Sequence, residues 1–142
     1  MGSPNQKLDA LKVLWERKRG VRAMPSRANL DVTELKPWLG NLALIDLFEI
    51  DGGTIRLCGT SLFRRFGRDV TGCDVRMLSS EVGASICACI ARVHQTMTVI
   101  GDRHMRIIDG KPVMFDDLAF PLSDDGAHVT MLLFASYPAK AQ

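Results

Sequence analysis

The stretch LCGTSLFRRFGRDVTGCDVRML, residues 57–78, decides the fold. It leaves a strand at Gly59 and makes one short amphipathic helix, with Leu62, Phe63 and Phe66 set against Arg64, Arg65 and Arg68. The helix turns at Gly67, so two glycines bracket it, and a charged loop then passes Gly72 into a second apolar approach at Val75, Met77 and Leu78.

Upstream, Leu8, Leu11, Leu14 and Trp15 fall on one face at helical spacing between Gln6 and Arg19, and Gly20 ends that helix, residues 6–20 in all. Its apolar stripe has two possible covers, its own sheet or a partner helix in a homodimer. Met1 to Asn5 reads as a frayed tail. Val21 to Arg27, with Pro25, reads as an extended connector, and Asp31 or Thr33 caps a short helix that runs through Leu39 and turns Trp38 toward the core. Leu42 to Ile50 is a strand, apolar on both faces until Asp46. The turn Asp51-Gly52-Gly53 returns it as Thr54 to Cys58, because Gly supplies the positive φ that a tight hairpin demands.

Downstream, Ser79 or Ser80 caps a helix from Glu81 to about Met97, whose apolar face is Val82, Ile86, Cys89, Ile90, Val93 and Met97. Three strands follow, Thr98 to Asp109, Pro112 to Leu122 and His128 to Tyr137, joined at Asp109-Gly110 and at Ser123-Asp124-Asp125-Gly126. The tail Pro138 to Gln142 reads as loose. Two strands, helices, then three strands imply an α+β fold with a five-stranded antiparallel sheet.

The 142 residues suit one domain, residues 1–142 with a core over 42–137, and 46% hydrophobic content is enough for one core. A net charge of +2, with the signs interspersed, builds no field for phosphate backbones or anionic membranes, so nucleic acid and membrane are not expected partners. Without a long apolar run or a signal-peptide core, the chain reads as cytoplasmic. Cys58, Cys73, Cys87 and Cys89 make no C-x-x-C pair. Cys87 and Cys89, two apart on a helix, point away from each other and read as free thiols.

Four stretches resemble the PAS domain, in a bacterial branch of stand-alone small proteins: LKVLWERKRGVRAMPSRANLD, LCGTSLFRRFGRDVTG, the turn at Asp109-Gly110, and LAFPLSDDGAHVTMLL. The resemblance covers Leu8 to Tyr137. It implies a signal-input and dimerisation module that often holds a small molecule or cofactor between sheet and helices. The run Gly72-Cys73-Asp74-Val75-Arg76-Met77-Leu78 is also similar to the flavin-binding photosensory motif, but Val75 stands in the place of the reactive cysteine and Cys73 lies two residues earlier. A flavin–cysteinyl adduct is therefore not expected.

Phe63, Phe66, Met77, Ile90, Met105, Met114, Phe120 and Met131 are the candidate lining of an apolar ligand pocket, against the alternative of a filled core. For a haem-type cofactor the residue to test is His94, on the side of the long helix. Strand alternation sets His104 with Arg106, outside, and leaves His128 solvated. Asp116 and Asp117 face opposite sides and form no carboxylate dyad. The inward one needs a partner such as Arg56 or Arg106. Arg64, Arg65 and Arg68 read as a solvated basic edge. No catalytic motif supports an enzyme. The expectation is a non-enzymatic module that dimerises and docks on a protein signalling partner, its output carried by that partner. The alternative is a small-molecule or cofactor sensor, the ligand and cofactor being unassigned.

Overall fold

The computed structural model describes residues 5–139 except Glu49. The expected loose ends at residues 1–4 and 140–142, and the part of the first strand at Glu49, lie outside the described residues.

Helix α1 spans Gln6–Arg19 and is capped by Asn5, whose side-chain oxygen accepts from the amides of Lys7 and Leu8. Arg17, Lys18 and Arg19 sit in its last turn, where cations complement the partial negative charge of the helix end. Leu8, Leu11, Leu14 and Trp15 are all buried, none more than 5% exposed, within the single chain. The Trp15 indole N–H donates to Pro121 O at 3.0 Å and its ring meets Phe120 at 6.4 Å between centroids. Of the two covers open to this stripe, its own sheet is the one realised. The assignment of Leu8, Leu11, Leu14 and Trp15 as a dimer face is corrected accordingly, because apolar surface already removed from water has no further burial to gain from a second copy.

Asp31 caps α2, Val32–Leu35, and the chain continues as a 3₁₀ turn over Lys36–Asn41 with Pro37 near its start. The strands are β1 Leu42–Leu47, β2 Gly53–Cys58, β3 Ile100–Ile108, β4 Lys111–Leu122 and β5 Met131–Pro138. They form one antiparallel sheet in the order β2-β1-β5-β4-β3, so β5 returns to the middle and pairs with both β1 and β4.

Between β2 and β3 come α3, Thr60–Phe66, a 3₁₀ turn over Val75–Met77, and α4, Glu81–Thr96, capped by Ser80. The two glycines around α3 act differently. A Cβ on Gly59 would stand 2.0 Å from the Leu39 carbonyl oxygen, so the close approach of two backbones excludes any side chain. Gly67 has open space, but its φ of 80° is the left-handed C-terminal cap that glycine adopts without steric penalty.

The α4 residues Val82, Ile86, Cys89, Ile90 and Val93 are fully buried, as the periodicity requires. Helix α1 lies on one sheet face, over Phe120 and Pro121. Helices α3 and α4 lie on the other, where Ser85 of α4 meets Asp102 and Asp117 and Arg65 of α3 meets Ser136. Both faces of the sheet are therefore covered in part, and this decides which strand residues look inward.

Candidate functional site

In β3, the pairs Asp102–Asp117 and His104–Phe115 with β4 set those side chains on the α3/α4 face. Ser136 of β5, opposite Asp117, joins them. His104 thus faces inward, which corrects the outward placement. Arg103, Met105 and Ile107 take the outer face instead. The alternation is as the sequence gives it, but its phase is the reverse, because the polar residues find partners inside.

Those partners converge on Asp117, which is 1% exposed. Its carboxylate accepts from Ser85 Oγ at 2.6 Å and from Ser136 Oγ, and His104 Nδ1 lies 2.8 Å away. Ser85 also reaches Asp102 at 2.8 Å, so one hydroxyl sits between two carboxylates that face each other across the β3–β4 pair. The cation is Arg65 of α3, its side chain only 10% exposed. It donates to Ser136 Oγ and to His104 Nε2, both at 2.7 Å. Since a guanidinium only donates, His104 Nε2 accepts and the ring proton sits on Nδ1, toward Asp117. The Arg65 guanidinium stands 3.7 Å over the Phe115 ring, which also stacks on His104. Glu81 lies 3.7 Å from Arg65, and Arg106 donates to the Arg65 carbonyl. Burial lowers the Arg65 pKa, while Asp117 and Glu81 push it back up.

Several expectations are corrected here. Arg65 is no part of a solvated edge: at helical spacing it turns inward, while Arg64 and Arg68 stay exposed. Asp117 is the inward carboxylate as alternation requires, yet its cation is Arg65. Arg56 pairs instead with Asp46. Asp116 faces outward to Arg103, 2.7 Å away. Arg65, Ser85 and Ser136 escaped the sequence reading because they come from three elements that only the folded chain brings together.

The eight candidate pocket residues do not converge. Ile90 is buried on the α4 side, whereas Phe120 is buried under α1, and Met131, a neighbour on that outer face, is half-buried. Phe66 is half-buried on α3, and Phe63 is 41% and Met77 76% exposed. Met105 and Met114 oppose each other on the outer face at 48% and 41% exposure. With Ile107 at 58% and the exposed Pro112 opposite it, they form an apolar surface beyond the reach of α1.

Around Asp117 the helices and the sheet are joined by side-chain contacts of 2.6–2.8 Å, which leave no room at that point for an isoalloxazine- or porphyrin-sized group. Val75, at the position of the photosensory cysteine, is buried, and burial pushes the Cys58 thiol up to about 11 and Cys89 to about 12. His94 is half-buried near the end of α4, and His128 is held at the surface by Asp125. Three buried atoms here, Arg65 Nε, Glu81 Oε1 and His104 Nδ1, have no aligned hydrogen-bond partner among the described residues. No described helix is long and apolar enough to cross a membrane.

Comparison with known proteins bears on the same architecture. A family model for the PAS domain matches residues 4–134. No curated protein sequence matches. Among solved structures, a light-oxygen-voltage domain studied with a flavin analogue is 16% identical, at a TM-score of 0.55, over 77% of this chain and 84% of that one. The PAS domain of Bordetella pertussis BvgS is 11% identical, at 0.53, over 97% of this chain and 90% of that one. The Vibrio cholerae VqmA dimer, a LuxR-type receptor with a target DNA, is 12% identical, at 0.57, over 78% of this chain but only 52% of its own. At these identities the likeness is one of fold.

Proposed function

The chain belongs to the PAS domain family of signal-sensing modules, and on that premise we propose that it acts by docking, pairing with a second copy and with a protein signalling partner through the outer sheet face. The observation that carries this reading is the exposed apolar surface of Met105, Ile107, Pro112 and Met114 beside the covered half of the same face. Exposed apolar surface of this kind marks interaction sites, and a stable interface buries about 800 Å² on each partner, more than these four side chains offer, so the exposed face of α1 at Ala10 and Val13 contributes as well. PAS domains are in general sensory and non-enzymatic, and the network that joins Arg65, Ser136, His104 and Asp117 suits a scaffold role. Sedimentation velocity on the wild type and on Met105→Asp with Met114→Asp tests the reading. A wild-type dimer that becomes a folded monomer is expected; an unchanged dimer, or a wild-type monomer at the highest soluble concentration, refutes self-association through this face.

A second reading, a small-molecule sensor, is supported by Arg65 Nε and Glu81 Oε1, buried without hydrogen-bond partners among the described residues. They suit a small polar ligand in place of a flat aromatic cofactor. An absorption spectrum and native mass spectrum of freshly purified protein test it: an extra small mass supports it, and a bare chain mass with a plain protein spectrum counts against it.

A further inference from the structure

At the other end of β4 from Met114, α1 and the link between α4 and β3 enclose a cleft of about 510 Å³, within the size range of ligand-binding clefts. Its floor is apolar, with Met97, Val99 and the buried edge of Trp15, and the exposed hydroxyls of Thr96 and Thr98 stand at the mouth. Met97 closes α4 in the left-handed conformation, φ 55° and ψ 27°, an uncommon state for a residue with a long side chain. Met97 thereby lines the cleft as part of the chain reversal into β3.

Three charged side chains of α1 line the cleft, Lys12 and Arg19 against Glu16, which leaves its rim with one net positive charge. Arg19 is held over the Trp15 ring and fixed by Glu16 at 2.9 Å and by the Arg22 carbonyl at 2.9 Å. Lys12, exposed on the same face of α1 one turn before Glu16, has no hydrogen bond or ion pair among the described residues. A fixed guanidinium and an uncommitted ammonium therefore stand about two helical turns apart along the α1 side of an apolar floor.

We infer that this cleft is a docking site for an acidic segment of a partner protein, with an apolar side chain seated on Met97 and Val99 and flanking carboxylates paired to Lys12 and Arg19. The inference rests on the docking reading but not on the sheet face, since the cleft and the Met105–Met114 surface lie at opposite ends of β4. Electrostatic complementarity of this sort sets orientation and partner choice, and it is screened by salt.

The test is an NMR titration of the ¹⁵N-labelled full chain with a short soluble peptide of glutamates around two leucines, with its glutamine counterpart as control. Saturable shifts of the Thr96–Val99 amides and the Trp15 indole are expected, about tenfold weaker with the glutamine peptide or in Lys12→Glu, and weaker again at high salt. Lys12 is exposed, so Lys12→Glu keeps the fold, and its unshifted spectrum checks this. Equal affinity for both peptides, or no effect of Lys12→Glu, overturns the assignment. Shifts confined to Met105–Met114 overturn the cleft while leaving sheet-face docking in place. No shift at millimolar peptide also overturns the cleft, and sedimentation then decides the sheet face separately.

Discussion

Replacing Arg65 by methionine keeps the length and apolar bulk of the side chain and removes its charge. In the folded chain this leaves the Asp117 carboxylate, 1% exposed, with only Ser85, Ser136 and the neutral ring of His104. Arg65 reaches Asp117 through Ser136 and His104 and not by direct contact, so the cost of about 3–5 kcal/mol for removing one partner of a buried ion pair is an upper bound here. Arg65 is itself only 10% exposed, so solvent screens little of this. The unfolding entropy of a chain this long is about 0.3 kcal/mol per kelvin, which puts the largest expected drop in Tm at roughly 10–17 °C. Arg65→Lys keeps a charge but not the fork that reaches Ser136 and His104 together, and is expected to fall between. The informative variant is Arg65→Met with Asp117→Asn. Removing the orphaned charge is expected to recover roughly 1 kcal/mol of the loss, as a coupling between residues that share Ser136 and His104 in one network. Thermal and urea unfolding by circular dichroism read each value. A loss below about 1 kcal/mol in Arg65→Met, or a double variant no more stable than the single one, refutes the view that this pair organises the inner face.

Gly59→Ala is expected to cost well over 3 kcal/mol or to abolish folding, because the new methyl meets backbone oxygens that cannot move aside, whereas Gly67→Ala, with open space and only the left-handed φ against it, costs about 1 kcal/mol; urea midpoints of the two variants measure the contrast. Trp15→Ala removes a buried ring and its bond to Pro121 and is expected to destabilise by about 3–5 kcal/mol without changing the oligomeric state of the fraction that remains folded, which sedimentation checks. Burial raises the Cys89 thiol from its ordinary 9.0 to about 12, so the folded chain holds this proton more tightly than the unfolded one. The associated stability is fully present below pH 9.0 and is lost as pH climbs toward about 12, and the loss is expected to be smaller in Cys89→Ala when denaturation is followed across that range.

Much of the fold was legible along the chain because its cues are local. Asn5 and Gly20 bound α1, Ser80 starts α4, and Asp109-Gly110 turns a hairpin with positive φ at both residues, each a cue that a few residues specify. The Gly52-Gly53 turn forms without the expected positive φ, and glycine is needed there because a Cβ on Gly53 would stand 2.7 Å from the Asp46 carbonyl oxygen. The order of strands and helices then fixed the fold class. The candidate site was mostly illegible, for a reason visible in β3. Its alternation separates His104 and Arg106 from Met105 and Ile107, but a period of two has two phases, and hydrophobicity alone favours turning the methionine inward.

The choice between those phases belongs to the tertiary structure. Arg65, Ser85, Asp117 and Ser136 come from four elements, and their convergence makes the polar side of β3 the buried one. The same holds for the stripe on α1: periodicity showed that Leu8, Leu11, Leu14 and Trp15 must be covered, and only packing showed that Phe120 and Pro121 are among what covers them. Sequence by itself determined which elements form and that each has an apolar face, because backbone propensity and periodicity act over a few neighbouring residues. Which face meets which, and therefore where the charges are buried and which apolar surface stays exposed, was decided by contacts between residues distant in sequence, where buried polar groups find partners that no local stretch supplies.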